Sequence, residues 1–248
     1  MEIQSSNRIQ DTIHNLYTAV TQTPLQPQRL LNSAEHLVAQ YNEYEISSPG
    51  QMTLSDYQHF LIAHFLVLDT TNAKYLWKRV PAHYKDVESM PNAVLNELWE
   101  VGKLLTKQNY PDAFKLIDSQ RKALQQDSEQ NAGGSLLRLL DTLSIMLREV
   151  HVIKMITKSY ASIEYGQLKS MLGLTEQSDQ EFREYIGQRG MSVNGGFVIP
   201  ATHAISAAVE QDGERKRFEL NEDRVQQLTQ VVQFLEQQKY SFDDIIQK

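Results

Sequence analysis

Between residues 8 and 158 the apolar residues recur mostly at spacings of three and four, the pattern of amphipathic helices packed on one another. No stretch in this region alternates like a strand. The first two apolar stripes are Ile9, Ile13, Leu16, Tyr17 and Val20, then Leu30, Leu31, Ala34, Leu37, Val38 and Tyr41. Pro24 and Pro27 interrupt the pattern between them, so the sequence predicts two helices joined by a proline-marked turn.

Capping and proline signals predict three further helices. Thr53 is a candidate N-cap with Asp56 in the first turn. Pro91 and Pro111 suit the first turn of two later helices, the second of them short. Their buried residues are Leu54, Tyr57, Leu61, Phe65 and Leu68, then Leu95, Leu98, Trp99 and Leu105, then Phe114 and Ile117. The polar stretch from Gln120 to Gly134 is expected to form a flexible connection or a frayed helix end.

A long helix with a broad apolar side follows. Its apolar residues are Leu136, Leu137, Leu140, Leu143, Leu147, Val150, Ile153 and Ile156. We expect it to be buried against two neighbours and to join two modules. Ala73 with Trp77 and Ala113 with Ile117 form a weak internal repeat, in which alanine allows close approach and the larger residue fills the gap. The prediction is an all-α helical-repeat domain over residues 1–158, made of right-handed TPR-like or HEAT-like hairpins.

From residue 159 the helices become short and a β-hairpin signal appears. Gly173 is expected to end the first short helix, and Thr175 or Ser178 to cap the next one. The inward residues of that second helix are predicted to be Phe182, Tyr185 and Ile186. Asn194-Gly195 between apolar residues predicts a hairpin. Helix, turn, helix and two short strands form the winged-helix plan, and its position after a helical repeat predicts a PCI module with its winged helix at 159–203.

The last part of the chain combines a tether with one more helix. Residues 204–220 lack periodicity, and the helix predicted over 221–240 begins at Asn221 or Asp223. It either folds back onto its own winged helix or joins a bundle built from other subunits. Its narrow apolar seam and the apolar residues of the hairpin give these candidate partner-binding residues: Val225, Leu228, Val231, Val232, Leu235, Val193, Phe197 and Ile199.

The charge pattern favours protein partners over nucleic acid. The net charge is −7, from 24 basic and 31 acidic residues, and no long block of Lys or Arg is present. In the second short helix the bases are Arg183 and Arg189, and the acids are Glu176, Asp179, Glu181 and Glu184. This net negative segment would be repelled by phosphates. A nucleic-acid-binding winged helix stays open as the alternative, and it would need a basic surface assembled from distant residues.

Composition also bears on compartment and membrane. There is no cysteine, which excludes disulfides, thiolate nucleophiles and thiolate zinc sites. The longest apolar stretch, Phe60 to Leu68, is far shorter than the roughly 20 residues that span a bilayer. The first residues lack the basic flank and apolar core of a signal peptide. We therefore expect a non-secreted protein with no membrane partner.

Catalytic and metal-binding patterns are missing from the sequence. His59 and His64 lie five positions apart, which places them on different sides of a helix, and no His-x-His pair occurs. Nucleophile-elbow, phosphate-loop and dinucleotide-binding glycine motifs do not occur either. Trp77 and Trp99 each lie on a stripe with leucines, so core packing explains them. We expect no catalytic residue, no cofactor and no metal.

Several segments resemble one known family. They are Leu76-Trp77-Lys78-Arg79-Val80-Pro81, Leu98-Trp99-Glu100-Val101-Gly102, Asn109-Tyr110-Pro111, Ser159-Tyr160-Ala161-Ser162-Ile163, Leu172-Gly173-Leu174 and Gln227 to Glu236. Together they cover roughly residues 53–238. They are similar to the COP-nine signalosome subunit-eight family, whose members are small PCI-domain proteins. Two related families, in the proteasome lid and in a translation initiation complex, share the helical repeat and winged helix.

The resemblance implies a scaffold subunit of a hetero-oligomer, not an enzyme. The complex removes a ubiquitin-like modifier from cullin ubiquitin ligases in cytoplasm and nucleus, and its metalloprotease activity belongs to another subunit. Family analogy places the winged helix in a horseshoe of related subunits and the final helix in a shared bundle. The expected partners are therefore other signalosome subunits.

Overall fold

Helices make up most of the chain in the computed structural model, which describes residues 2–21, 25–86, 90–126 and 134–200. The helices are α1 (Glu2–Thr21), α2 (Pro27–Ser47), α3 (Leu54–Leu66), α4 (Thr70–Arg79), α5 (Met90–Thr106), α6 (Tyr110–Gln126), α7 (Gly134–Met146), α8 (Ile153–Ser159), α9 (Tyr165–Met171) and α10 (Asp179–Gly187). The strands are β1 (Ile163–Glu164), β2 (Ser192–Asn194) and β3 (Phe197–Ile199). The predicted tether, 204–220, and last helix, 221–240, lie outside the described residues.

Local signals account for where most helices begin. Pro27 opens α2, because its fixed φ suits a first turn and its missing N–H costs no hydrogen bond there. Thr53 caps α3: its hydroxyl accepts from the Asp56 N–H, and the Asp56 carboxylate accepts from the Thr53 N–H in return. Ser178 and Glu181 form the same reciprocal pair at α10. Of the two caps predicted for α10, Ser178 is the one used.

Helix α6 corrects the expectation of a short helix followed by a polar connection. It continues to Gln126, through the first part of the stretch that was expected to be a loop or a frayed end. Arg121 explains the extra turns, since its guanidinium donates to Asp118 within α6 and to Asp141 in α7. Gln120 is also buried. Tertiary contacts thus override a composition that favours loops.

The predicted long helix is confirmed, with one irregularity that the sequence did not reveal. A π-helical turn, Leu147–Val152, joins α7 to α8, and the three segments form one continuous helical rod. Helix α7 packs against α1, α3 and α6, which explains its broad apolar side. Such turns insert one residue into the helical register and often occur at functional sites. Here the turn changes the direction in which the following side chains point.

One continuous hydrophobic core runs from α1 to the sheet. Its largest fully buried side chains include Tyr41, Phe60, Phe65, Phe114 and Phe182. The described residues all fall within one compact unit, Met1–Ile205. Among these residues, no helix is both long and apolar enough to cross a membrane.

His59 and His64 are buried in α3, and His151 is half-buried against it. The imidazole of His59 lies 3.2 Å from the Ser135 hydroxyl, and burial lowers the pKa of His59 to about 4 although Asp56 opposes the shift. Burial also lowers the pKa of His64 and of His151. The unfolded chain takes up these protons at higher pH than the folded chain. The contribution of these neutral histidines to the free energy of unfolding is therefore complete above pH 6.5, and that of His59 is lost as the pH falls toward 4.

We predict that lowering the pH from 7.5 to 5 reduces the free energy of unfolding by about 2 kcal/mol through His59 alone. His59→Gln keeps a polar, hydrogen-bonding side chain that does not titrate, so its loss of stability over this range should be smaller by that amount. Urea unfolding followed by circular dichroism at both pH values measures the difference. His36→Gln, an exposed histidine of α2, is the control and should keep the full pH dependence. Equal slopes in the two variants would contradict the prediction.

Candidate interaction surface

The small sheet has the strand order β1-β3-β2, with both pairs antiparallel. Val198 of the central strand lies opposite Ile163 of β1 and Val193 of β2. Val198 and Ile163 are buried against the helices, so this face belongs to the core. Because side chains alternate along a strand, Phe197 and Ile199 lie on the outer face.

A tight glycine turn joins β2 and β3, which confirms the predicted hairpin. Asn194 pairs with Phe197, so the loop consists of Gly195 and Gly196 alone. Their φ angles are +57° and +86°, the left-handed values that a type I′ turn requires at both positions. Side-chain-bearing residues rarely adopt these angles, and glycine adopts them at little cost. The turn fixes the register that places Val198 inward.

The structure separates the three predicted hairpin residues by face. Phe197 and Ile199 are 52% and 42% exposed and form an outer patch on β3. Val193 shares the inner face with Val198, yet it is also exposed because β2 is an edge strand. The five predicted residues of the tail seam lie outside the described residues.

The outer patch is surrounded by small polar residues and one acid. Asn194 and Glu164 flank Phe197, and Ser192 lies opposite Ile199. The edge strand β2 carries neither lysine nor proline, the residues that commonly block edge pairing. An edge strand next to exposed apolar side chains is suited to contact with a protein partner.

Helices α9 and α10 hold the sheet in place. Phe182 of α10 is fully buried and meets the Tyr165 ring edge-on at 5.0 Å between centroids. The Tyr165 hydroxyl donates to the Asp179 carbonyl oxygen, and Lys169 forms an ion pair with the Asp179 carboxylate. These contacts tie the first turn of α10 to α9, so the outer patch sits on a rigid base. Within the described ranges, no group of His, Asp and Glu side chains is arranged to hold a metal ion.

Comparison with known proteins identifies the family. The sequence profile of the CSN8/PSMD8/EIF3K family matches residues 52–211. The chain belongs to this family. COP9 signalosome complex subunit 8 of Danio rerio is 26% identical over 203 residues, which cover 82% of this chain and 94% of that protein. The Xenopus laevis protein of the same name is 24% identical over 207 residues, covering 82% and 93%. The Arabidopsis thaliana one is 24% identical over 180 residues, covering 73% and 79%.

The family match begins at Met52, just before the cap of α3, and includes every described element from α3 to β3. The resemblance deduced from the sequence segments is therefore confirmed. Trp77, which lies in one of those segments, stacks on Trp99 with ring centroids 5.2 Å apart and planes inclined by 6°. This supports the core-packing interpretation of both tryptophans.

Sequence reasoning missed the polar seam between the long helical rod and α10 of this family member. Both Glu149 oxygens accept hydrogen bonds from Arg189, at 2.8 Å and 2.5 Å, and the Tyr185 hydroxyl donates to one of them at 2.8 Å. Burial, followed by the charge of Glu149, raises the pKa of Tyr185. The available signal was Glu149, an acid close to the buried residues Leu147 and Val150. Its partners lie about 40 positions away, so spacing could not reveal them.

Proposed function

We propose that the chain is a non-catalytic scaffold subunit of the COP9 signalosome. The observation that carries this proposal is the similarity to signalosome subunit 8 over 82% of this chain and 94% of the Danio rerio relative. Because the similarity covers nearly the whole relative, it supports a common role for the whole protein. Deneddylation of cullin ligases is then the activity of the complex in cytoplasm and nucleus, and the isopeptidase chemistry belongs to another subunit.

The proposed architecture is a helical repeat over 1–158, a PCI winged helix over 159–203, a tether over 204–220 and a bundle helix over 221–240. The short helices α9 and α10 with the three-stranded sheet support the winged helix. The two halves of the sequence repeat support the helical-repeat assignment. In each half, a non-glycine residue with a φ of +56° ends one helix and the next residue caps another; these pairs are Leu68-Asp69 and Gln108-Asn109.

The proposed contact surface is the outer patch with the neighbouring edge of β2. Covering the exposed parts of Phe197 and Ile199 would contribute about 3 kcal/mol, on the order of 100-fold in affinity. Backbone groups along β2 would pair with a strand of a neighbouring subunit. The seam Val225, Leu228, Val231, Val232 and Leu235 is proposed as a second contact, within a helical bundle.

Affinity purification of the tagged chain from its own cells, followed by mass spectrometry, tests the proposal. We expect the other signalosome subunits in near-equal amounts. Phe197→Thr with Ile199→Thr removes the apolar patch and keeps strand propensity, so their recovery should fall on the order of 100-fold if this surface is the main contact. Ile46→Thr, at a 79% exposed residue of α2, is the matched control and should leave recovery unchanged. Leu228→Asp tests the seam in the same assay.

Other outcomes would redirect the assignment. Recovery of proteasome-lid or initiation-complex proteins would move the chain to one of the sister branches of its family. If the double-threonine variant recovered the signalosome at the wild-type level, the outer patch would not be part of the interface, and membership of the complex would still stand.

Nucleic-acid binding is the weaker alternative. Arg189, one of two basic residues in the α10 region, is already bound to Glu149 and to the Tyr185 carbonyl oxygen. Arg183 remains as the exposed base of α10, among several carboxylates. Phosphate contacts need more free cations than this face provides. Chromatin as the sole material recovered with the chain would revive the alternative.

A further inference from the structure

A cavity of roughly 450 Å³ opens between α6, the π-helical turn and the segment that follows α9. Six charged residues line it: Lys115, Arg121, Lys122, Arg148, Asp118 and Glu176. Four are cations and two are anions, so the lining is net positive in a chain whose total charge is −7. A concave surface of one sign concentrates ligands of the opposite sign.

Two of the four cations are already neutralised by the protein itself. Lys115 forms an ion pair with Asp112 at 3.0 Å. Arg121 is held between Asp118 and Asp141, at 3.1 Å and 2.6 Å. The Asp118 carboxylate, one of the two anions of the lining, is therefore paired as well.

Arg148 and Lys122 have no ion-pair partner in the part of the chain that the structure describes. The Nε of Arg148 donates to the Leu172 carbonyl oxygen at 2.8 Å, and its guanidinium lies 5.3 Å from the Phe114 ring centroid. Both contacts orient the guanidinium of Arg148, which lines the cavity. Burial lowers the pKa of Arg148, because water is partly removed from the cation, although Glu149 and Asp118 nearby oppose the shift.

The π-helical turn is responsible for this arrangement. Its three polar side chains reach different elements: Arg148 the end of α9, Glu149 the α10 region and His151 the Leu66 carbonyl oxygen of α3. The Glu149 carboxylate forms its ion pair with Arg189, although Arg148 is its neighbour in the sequence. The turn therefore places at the cavity an oriented guanidinium that forms no ion pair with the described residues. Irregular turns of this kind are frequent at functional sites.

We propose that this cavity binds a phosphate monoester, on Arg148 and Lys122. Arg148 and Lys122 supply two positive charges that no ion pair among the described residues takes up, and Glu176 in the same lining offsets part of them. A phosphate monoester carries −1.5 to −2 near neutral pH, so it would use both cations. Hydroxyl groups of Ser119, Ser170 and Thr175 also line the cavity and serve the remaining phosphate oxygens. A carboxylate has one charge and two acceptor oxygens, so it would use the site less fully. The phosphate belongs either to a phosphorylated protein segment or to a small soluble ester.

The test follows amide signals of residues 173–177 in nitrogen-15-labelled full-length chain, while inorganic phosphate replaces chloride at constant ionic strength. Saturable shifts are expected. Arg148→Gln should weaken binding at least about tenfold and Lys122→Gln about threefold. Glu176→Gln removes the remaining unpaired acid of the lining and should tighten binding about threefold. Arg29→Gln, at an exposed arginine of α2, is the matched control and should leave binding unchanged.

Wild-type affinity in both Lys122→Gln and Glu176→Gln would overturn the proposal, and these rim changes remain informative even if Arg148→Gln impairs folding. Acetate binding as tightly as phosphate would overturn the choice of phosphate. A neutral peptide with one phosphoserine separates the two sources. Tighter binding of this peptide than of inorganic phosphate identifies a protein segment, whereas equal binding identifies a small ester, and either result supports the site.

Discussion

Gly173→Ala is expected to lower the free energy of unfolding by about 3 kcal/mol. Gly173 ends α9 with a φ of +65°, and its N–H and that of Leu174 bond back to Ser170 and Lys169, the two bonds of a Schellman motif. An added Cβ would be strained at this φ. It would also lie 2.5 Å from the ring of Phe114, a buried core residue that would have to shift to make room.

Gly166→Ala provides the matched control and should change stability in the opposite direction. Gly166 lies in the first turn of α9, and an added Cβ there would meet no atom within 4 Å. Alanine in a helix is favoured over glycine by about 0.5–1 kcal/mol. Urea unfolding monitored by circular dichroism measures both variants. Similar losses in the two would show that the Phe114 contact and the left-handed φ do not determine the outcome.

Glu149→Ala is expected to cost about 4 kcal/mol, because removal of one member of a mostly buried ion pair strands the other. The side chains of Glu149 and Arg189 are 14% and 23% exposed, and the Tyr185 hydroxyl depends on the same carboxylate. Without Glu149, the Arg189 guanidinium would keep only its bond to the Tyr185 carbonyl oxygen, and the Tyr185 hydroxyl would lose its partner, while both remain mostly shielded from water. The polar seam would then favour separation of α10 from the rod.

Glu45→Ala is the comparison for this variant. Glu45 also binds one arginine, Arg79, through both oxygens, at 2.9 Å and 2.8 Å. Its side chain and that of Arg79 are 23% and 48% exposed, so water replaces much of the lost contact. The cost should be below about 1 kcal/mol. A loss for Glu45→Ala as large as that for Glu149→Ala would show that burial does not set the strength of these pairs.

These two sites and the phosphate cavity share one region, where the rod, α6 and the α9–α10 segment meet. Gly173 allows the close approach of the chain to Phe114, and the Arg148 guanidinium lies 5.3 Å from the centroid of the same ring. Loss of stability in Gly173→Ala would therefore also disturb the cavity. For that reason the binding test relies on the rim residues Lys122 and Glu176.

Local signals were sufficient for the helices and for the turns that join them. The spacing of apolar residues predicts a helical chain because each helix buries one face, and this holds whichever neighbour covers that face. Thr53 and Gly173 act at helix ends through bonds to residues within five positions, so they could be recognised directly. The hairpin belongs to the same class, because its glycine turn sets its own register.

Contacts between distant residues decided the rest. Helix α6 continues into a polar segment because Arg121 pairs with Asp141. The π-helical turn has no recognisable pattern in the sequence. Strand β1, only two residues long, was not predicted because pairing with β3 alone defines it. The sequence by itself determined which segments are helical, apart from the last turns of α6, and which family they resemble. Only the tertiary structure decided that Phe197 and Ile199 face outward together and that Arg148 lines a cavity without an ion pair to the described residues, because both depend on partners supplied by other elements.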